Sequence, residues 1–178
     1  MYIKPKSRRV LGMTLVEMMI SVGIGGVVLA AVASLSFYTA RSMAAMSNYA
    51  DLDRQSRNAL DQMTLKIRSA TRMTAFNSTN VTFIYNGQNL NYNFNSTAKT
   101  LTETYGGYAK VLLEDCNQLQ FSVFQRNVLS NSFSQVTTTS TNDAKSLIVT
   151  WNCSRSLLGN LINSESVQSA RIVIRNNP

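Results

Sequence analysis

Hydrophobic and polar positions fall into three regimes along the chain. Residues 13 to 38 are apolar almost without break, and Glu17 is the only charge among them. Taken as helix, residues 15–38 extend about 36 Å at about 1.5 Å per residue, enough to cross the hydrocarbon core of a bilayer. From Arg41 to about Thr74 neither Gly nor Pro occurs. There Tyr49, Leu52, Ser56, Ala59, Met63, Ile67 and Ala70 recur in steps of three and four, the spacing of one helix face. The simplest reading of that face is packing against the protein's own sheet. Arg72 to Asn77 should fray the helix, and Asn77-Ser78-Thr79-Asn80 reads as a turn.

Beyond Thr79 the period changes to two. Residues 81–85, Asn86-Gly87 and residues 89–94 predict a hairpin, because Asn-Gly suits a tight primed turn. Residues 99–104 give a third strand ending at Gly106-Gly107, and 118–125, 146–152 and 170–175 give three more. The polar segment 127–143 reads as a loop. A long helix followed by consecutive strands is an α+β pattern with an antiparallel sheet. The expected organisation is a leader over 1–12, a membrane and assembly helix over 13–40, its amphipathic continuation over 41–76, and a β-rich head over 77–178. The fold class is α+β, the helix packing on an antiparallel head.

Charge sharpens the reading of the N-terminus. The formal net charge is +8, but Lys4, Lys6, Arg8 and Arg9 supply half of it ahead of the apolar run. The other 13 basic and 9 acidic residues leave only +4, a weak electrostatic footprint for nucleic acid. Cations before an apolar run direct that end to the cytoplasm and the remainder outward. A signal peptide would use Ala31-Val32-Ala33 as a small-x-small cleavage site, leaving Ser34 first. A plain single-span anchor is the other ordinary reading. Neither accounts for Glu17, since an acid inside a membrane helix is expensive and by default has a partner.

Gly12-Met13-Thr14-Leu15-Val16-Glu17-Met18 resembles the class III signal of type IV prepilins and pseudopilins, a basic leader ending in Gly before an apolar run with Glu. The resemblance implies cleavage by prepilin peptidase between Gly12 and Met13 and N-methylation of Met13. It also implies retention of the helix for assembly with other pilins or pseudopilins from the bacterial inner membrane. The N-terminus would be cytoplasmic, the head periplasmic, and the end point a pilus or pseudopilus. Glu17 would then face the Met13 amine of a neighbouring subunit, a pairing that offsets desolvation and sets register. The family usually has Phe where this chain has Met13, and major pilins often carry proline where Ser34 stands. The second departure points to a minor subunit. Arg54-x-x-Arg57-Asn58-Ala59-Leu60 and Lys66-Ile67-Arg68-Ser69-Ala70 resemble minor pilins of the W type and minor pseudopilin J. These imply a subunit that primes or caps a type IV pilus or a type II secretion pseudopilus.

Other chemistry is sparse. Without histidine, His-based catalysis is unavailable, and no enzyme activity, cofactor or metal is expected. Two cysteines cannot complete a zinc site. Gly23, Gly25 and Gly26 lie inside the apolar run with no strand before them, so they suit close helix approach rather than a phosphate loop. Pairing 118–125 with 146–152 by apolar register sets Leu119 by Trp151, Phe121 by Val149 and Val123 by Leu147. Cys116 then falls opposite Ser154, one residue past Cys153. A bulge would bring the two sulfurs together, and an exported domain favours a disulfide; buried free thiols are the alternative. Glu114-Asp115 should end a strand beside Cys116. A DNA-uptake or adhesion subunit is the competing functional class, resting on Arg126, Arg155, Arg171 and Arg175 without clustered aromatics. A plain membrane-anchored domain stands behind it.

Overall fold

The computed structural model describes residues 12–127, 134–156 and 165–175. The chain divides into two units, with the boundary between Met43 and Ala44. Helix α1 runs Leu15–Ser69 and contributes to both. Nine strands follow among the described residues: β1 Arg72–Phe76, β2 Asn80–Tyr85, β3 Gln88–Asn95, β4 Thr100–Tyr105, β5 Tyr108–Leu113, β6 Cys116–Arg126, β7 Gln135–Thr137, β8 Ser146–Ser154 and β9 Glu165–Val173. They form two antiparallel sheets, one in the order β1-β2-β3-β4-β5 and one in the order β7-β6-β8-β9. The architecture is α+β, a long N-terminal helix and antiparallel sheets in a pilin-like arrangement.

In the first unit α1 has no internal packing to make. Val16, Ile24, Leu29, Leu35 and Phe37 are all exposed, and the helix there is apolar in every direction. A helix hydrophobic all round belongs inside something, a membrane or a protein bundle. It is the one helix among the described residues long and apolar enough to cross a membrane.

In the second unit the same helix buries a single stripe. Leu52, Ser56, Ala59, Met63 and Ile67 are buried, as is Ala70 just past its end. The stripe joins Phe83, Tyr92 and Leu101 of the first sheet and Phe121, Val149 and Trp151 of the second in one core. Tyr49, expected on this face, is 47% exposed. It precedes the turn at which Asp51 and Asp53 bond to Arg155 and Gln168.

The helix ends at Ser69, where the apolar spacing stops, and short of residue 76, to which its continuation was assigned. Residues 72–76 form β1 rather than continuing it. Thr71 N–H already donates to the Ile84 carbonyl at 2.7 Å, so non-local pairing with β2 outcompetes a helical last turn. Two further strands were not foreseen. Gly106 and Gly107, both at positive φ, connect β4 to β5 as a two-residue hairpin with Tyr105 opposite Tyr108. Gln135–Thr137 lie in the segment read as a loop and form β7, pairing with β6 at Phe124–Arg126. The final strand begins at Glu165, ahead of the expected 170–175, and ends at Val173. The Asn86-Gly87 hairpin is as expected, with positive φ at both residues and Tyr85 opposite Gln88.

Candidate functional site

The N-terminal segment begins outside the helix. Gly12, Met13 and Thr14 are exposed and unhelical, and α1 starts at Leu15. Thr14 and Glu17 close on each other across the first turn. Thr14 N–H donates to Glu17 Oε2 at 2.9 Å, Thr14 Oγ1 donates to the same oxygen at 3.0 Å, and Glu17 N–H donates to Thr14 Oγ1 at 3.3 Å. This is a capping box, with Thr14 at the N-cap and the acid three residues on. It satisfies amide donors that have no partner within the helix and sets negative charge at the positive end of the helix dipole. Glu17 therefore has an intramolecular role, the closing of the first helical turn. The Thr-x-x-Glu spacing was the available signal for it, and Thr14 is the residue the sequence reading passed over.

Sterics do not account for Gly12. Among the described residues a β-carbon placed there meets nothing within 4 Å, and the same is true of Gly23, Gly25 and Gly26. The fold of the single chain thus has no need of glycine at any of the four.

The polar side chains of the apolar half carry their acceptors with them. Ser21 donates to the Glu17 carbonyl at 2.7 Å, Ser34 to Ala30 at 2.9 Å, Ser36 to Val32 at 2.9 Å and Thr39 to Leu35 at 2.9 Å. Each bonds one turn back on its own helix, which makes hydroxyls tolerable away from water. Ser34 lies within an unbroken stretch of α1.

In the head, the two cysteines meet across β6 and β8. The apolar register pairs Leu119 with Trp151, Phe121 with Val149 and Val123 with Leu147, as the alternation predicts. An irregularity between Cys116 and Gln118 then shifts the ladder, and Cys116 faces Cys153 rather than Ser154. Both are buried free thiols. They share a hydrogen bond, and that bond together with burial pushes the Cys153 thiol up. Cys116 also reaches the Gln118 carbonyl at 3.3 Å. Asp115, beside Cys116, takes a left-handed φ of 56° in the turn between β5 and β6, a conformation that Asp tolerates.

Two of the four arginines put forward for nucleic acid have structural company. Arg155 donates from Nε to Asp115 at 2.6 Å and from Nη1 to Asp51 at 2.7 Å, tying β8 to the helix. These two hydrogen bonds, that to Asp115 foremost, raise its pKa. Arg171 lies over the Phe124 ring at 5.5 Å. Arg126 and Arg175 are exposed. Among the described residues no group of three or more His, Cys, Asp or Glu side chains could hold a metal ion.

A second buried cluster joins the helix to the first sheet. Lys66 Nζ contacts Glu103 Oε1 at 2.5 Å and lies 5.9 Å from the Tyr105 ring centroid. Burial first, and the Glu103 carboxylate second, push the Tyr92 phenol up. Helix and second sheet are joined by the Trp151 indole, which donates to Ser56 Oγ at 3.2 Å.

Residues 7–33 match the family model described as the prokaryotic N-terminal methylation motif. No curated protein and no solved structure matches the chain. The motif supports the type IV pilin-like family and processing by prepilin peptidase. Together with the apolar helix, it is consistent with an inner-membrane anchor.

Proposed function

We propose that this chain is a minor pilin or pseudopilin, a structural subunit rather than an enzyme. It is cut between Gly12 and Met13, methylated at Met13, and primes or caps a type IV pilus or type II secretion pseudopilus. Before assembly it crosses the inner membrane once, with its N-terminus cytoplasmic and its head periplasmic. The observation that carries this reading is the methylation motif over residues 7–33, in front of a helix half that is apolar on all sides. Gly12 adds support, because a residue that the fold does not require is free to be chosen by a protease. Open space at Gly23, Gly25 and Gly26 is what close contact with neighbouring helices needs.

Glu17 can serve both of its roles at once. The cap occupies Oε2, and an ionised carboxylate has about four lone-pair sites in all, so Oε1 is available to the Met13 amine of the next subunit. Export also favours oxidation of the facing thiols Cys116 and Cys153. In that step both thiols lose a proton, their two electrons pass to a disulfide on an exchange partner, and the partner leaves as a dithiol.

Mass spectrometry of the mature protein tests the reading. The expected N-terminus is N-methylated Met13, and the head should weigh two hydrogens less than its dithiol form. An N-terminus at Ser34 would sink the assembly role, because it would remove the helix that assembles. Glu17→Ala should leave cleavage intact while incorporation into filaments drops. Undiminished incorporation would refute the amine pairing.

A further inference from the structure

The middle of one face of the first sheet, over β2, β3 and β4, carries no charge among the described residues, and Arg72 lies on this face only at its β1 edge, paired with Ile84. The outward positions of β3 are Asn89, Asn91, Asn93 and Asn95, and those of β4 are Thr100, Thr102 and Thr104. Their inward alternates Leu90, Tyr92, Phe94, Leu101 and Glu103 are buried. Strand register sets Asn93 between Asn80 and Thr102, and Asn91 between Thr82 and Thr104. The result is a grid of amides and hydroxyls spaced about 4.8 Å across the strands and about 6.8 Å along them.

The grid is fixed before any partner arrives. Asn91 Nδ2 donates to Asn80 Oδ1 at 2.9 Å and to Thr82 Oγ1 at 2.8 Å, and Asn80 Nδ2 donates to Asn93 Oδ1 at 3.3 Å. Side chains already ordered lose less freedom on binding. Nor is neutrality here only a consequence of composition. Glu103 of β4 and Lys110 of β5 both turn to the helix side, where they meet Lys66 and Gln62.

Where β3 ends, at Asn95-Ser96, a cleft of about 690 Å³ opens against the second sheet. Asn117, Gln118, Gln120 and Asn152 supply amides to its lining, and Phe94 and Val167 supply apolar surface. Among the described residues no charged side chain lines it. Its size lies within the roughly 300–1,000 Å³ of ligand sites.

Amides and hydroxyls both donate and accept, as do the hydroxyls of a sugar ring, and the ring's C–H faces suit Phe94 and Val167. Nucleic acids and sulfated or uronic polymers would need clustered cations, and this surface offers only single ones at its margins, Arg72 on β1 and Lys99 in the turn between β3 and β4. We propose that the cleft and the adjoining Asn/Thr face bind a neutral polysaccharide. The inference is independent of the filament role.

The test uses the full-length protein in lauryldimethylamine oxide, a detergent without a sugar head group, presented to immobilised dextran, laminarin and mannan. Binding to at least one is expected, unchanged between low and high salt, with none to dextran sulfate that survives high salt. Asn93 and Gln118 are both exposed, so Asn93→Lys and Gln118→Lys should leave Trp151 fluorescence native. Each should weaken binding about tenfold, a change of about 1.4 kcal/mol. The proposal is overturned by failure to bind all three polymers, by binding indifferent to both substitutions, or by self-association through this face in their place.

Discussion

The two halves of α1 solve the same problem for different surroundings. Between Leu15 and Tyr38 apolar side chains point everywhere, and hydroxyls bond one turn back on the helix itself. From Asp51 to Ala70 a single stripe is buried, and polar side chains reach across to other elements. Ser56 meets Trp151, Lys66 meets Glu103, and Asp51 meets Arg155. Where no water is available, hydrogen bonding has to be local to be certain. Where a folded head is available, the same backbone form can spend its side chains on long-range contacts.

The same substitution should have different outcomes in the two halves. Leu52→Ala should lower the stability of the head by about 2–5 kcal/mol, because Leu52 is 1% exposed. Leu29→Ala, at a site 71% exposed, should leave it unchanged. Denaturant titration of the full chain in detergent reads this directly, since Trp151 is the only tryptophan and is buried in the head. Equal losses would break the comparison.

A smaller effect tests the polar contacts of the head. Lys66→Met should destabilise it by about 3 kcal/mol, because Glu103 would be left buried without its cation. Lys66→Met/Glu103→Leu should recover much of that loss in the same titration. A full loss in the double variant would mean that the pair acts through something other than charge compensation.

The smallest effect appears only in alkali. The Tyr92 phenol is held above its ordinary pKa of 10.0. Below that value both folded and unfolded chains keep the proton, and stability is unaffected. Above it the unfolded tyrosine ionises first, so stability falls with rising pH by up to about 1.4 kcal/mol per pH unit. Tyr92→Phe should flatten this slope while changing little at neutral pH. An unchanged slope would assign the alkaline loss to other groups.

Much of this was legible in the residues, and the misses have physical causes. The pairing of Leu119, Phe121 and Val123 with Trp151, Val149 and Leu147 followed from alternation, because a one-residue slip would turn every apolar side chain outward. The bulge that aligns Cys116 with Cys153 could only be posed as a condition, since a bulge leaves no period of its own in the sequence. β1 was read as the fraying end of the helix because local propensity says nothing of the β2 edge waiting for Thr71 and Arg72. The strand β5 was within reach: two glycines between tyrosines are a hairpin signal, and they were taken only as a terminus. Glu17 was weighed as a membrane charge, which obscured its cap with Thr14.

The back-bonded hydroxyls of the apolar half have a consequence for transfer between environments. Ser21, Ser34, Ser36 and Thr39 take their acceptors wherever the helix goes. Passage from one apolar medium to another therefore exchanges no hydrogen bond at these side chains. What opposes or favours such a passage is the contact made by the surrounding aliphatic groups and by Glu17. That makes the segment indifferent to which oily neighbour it has, and selective only at its first turn.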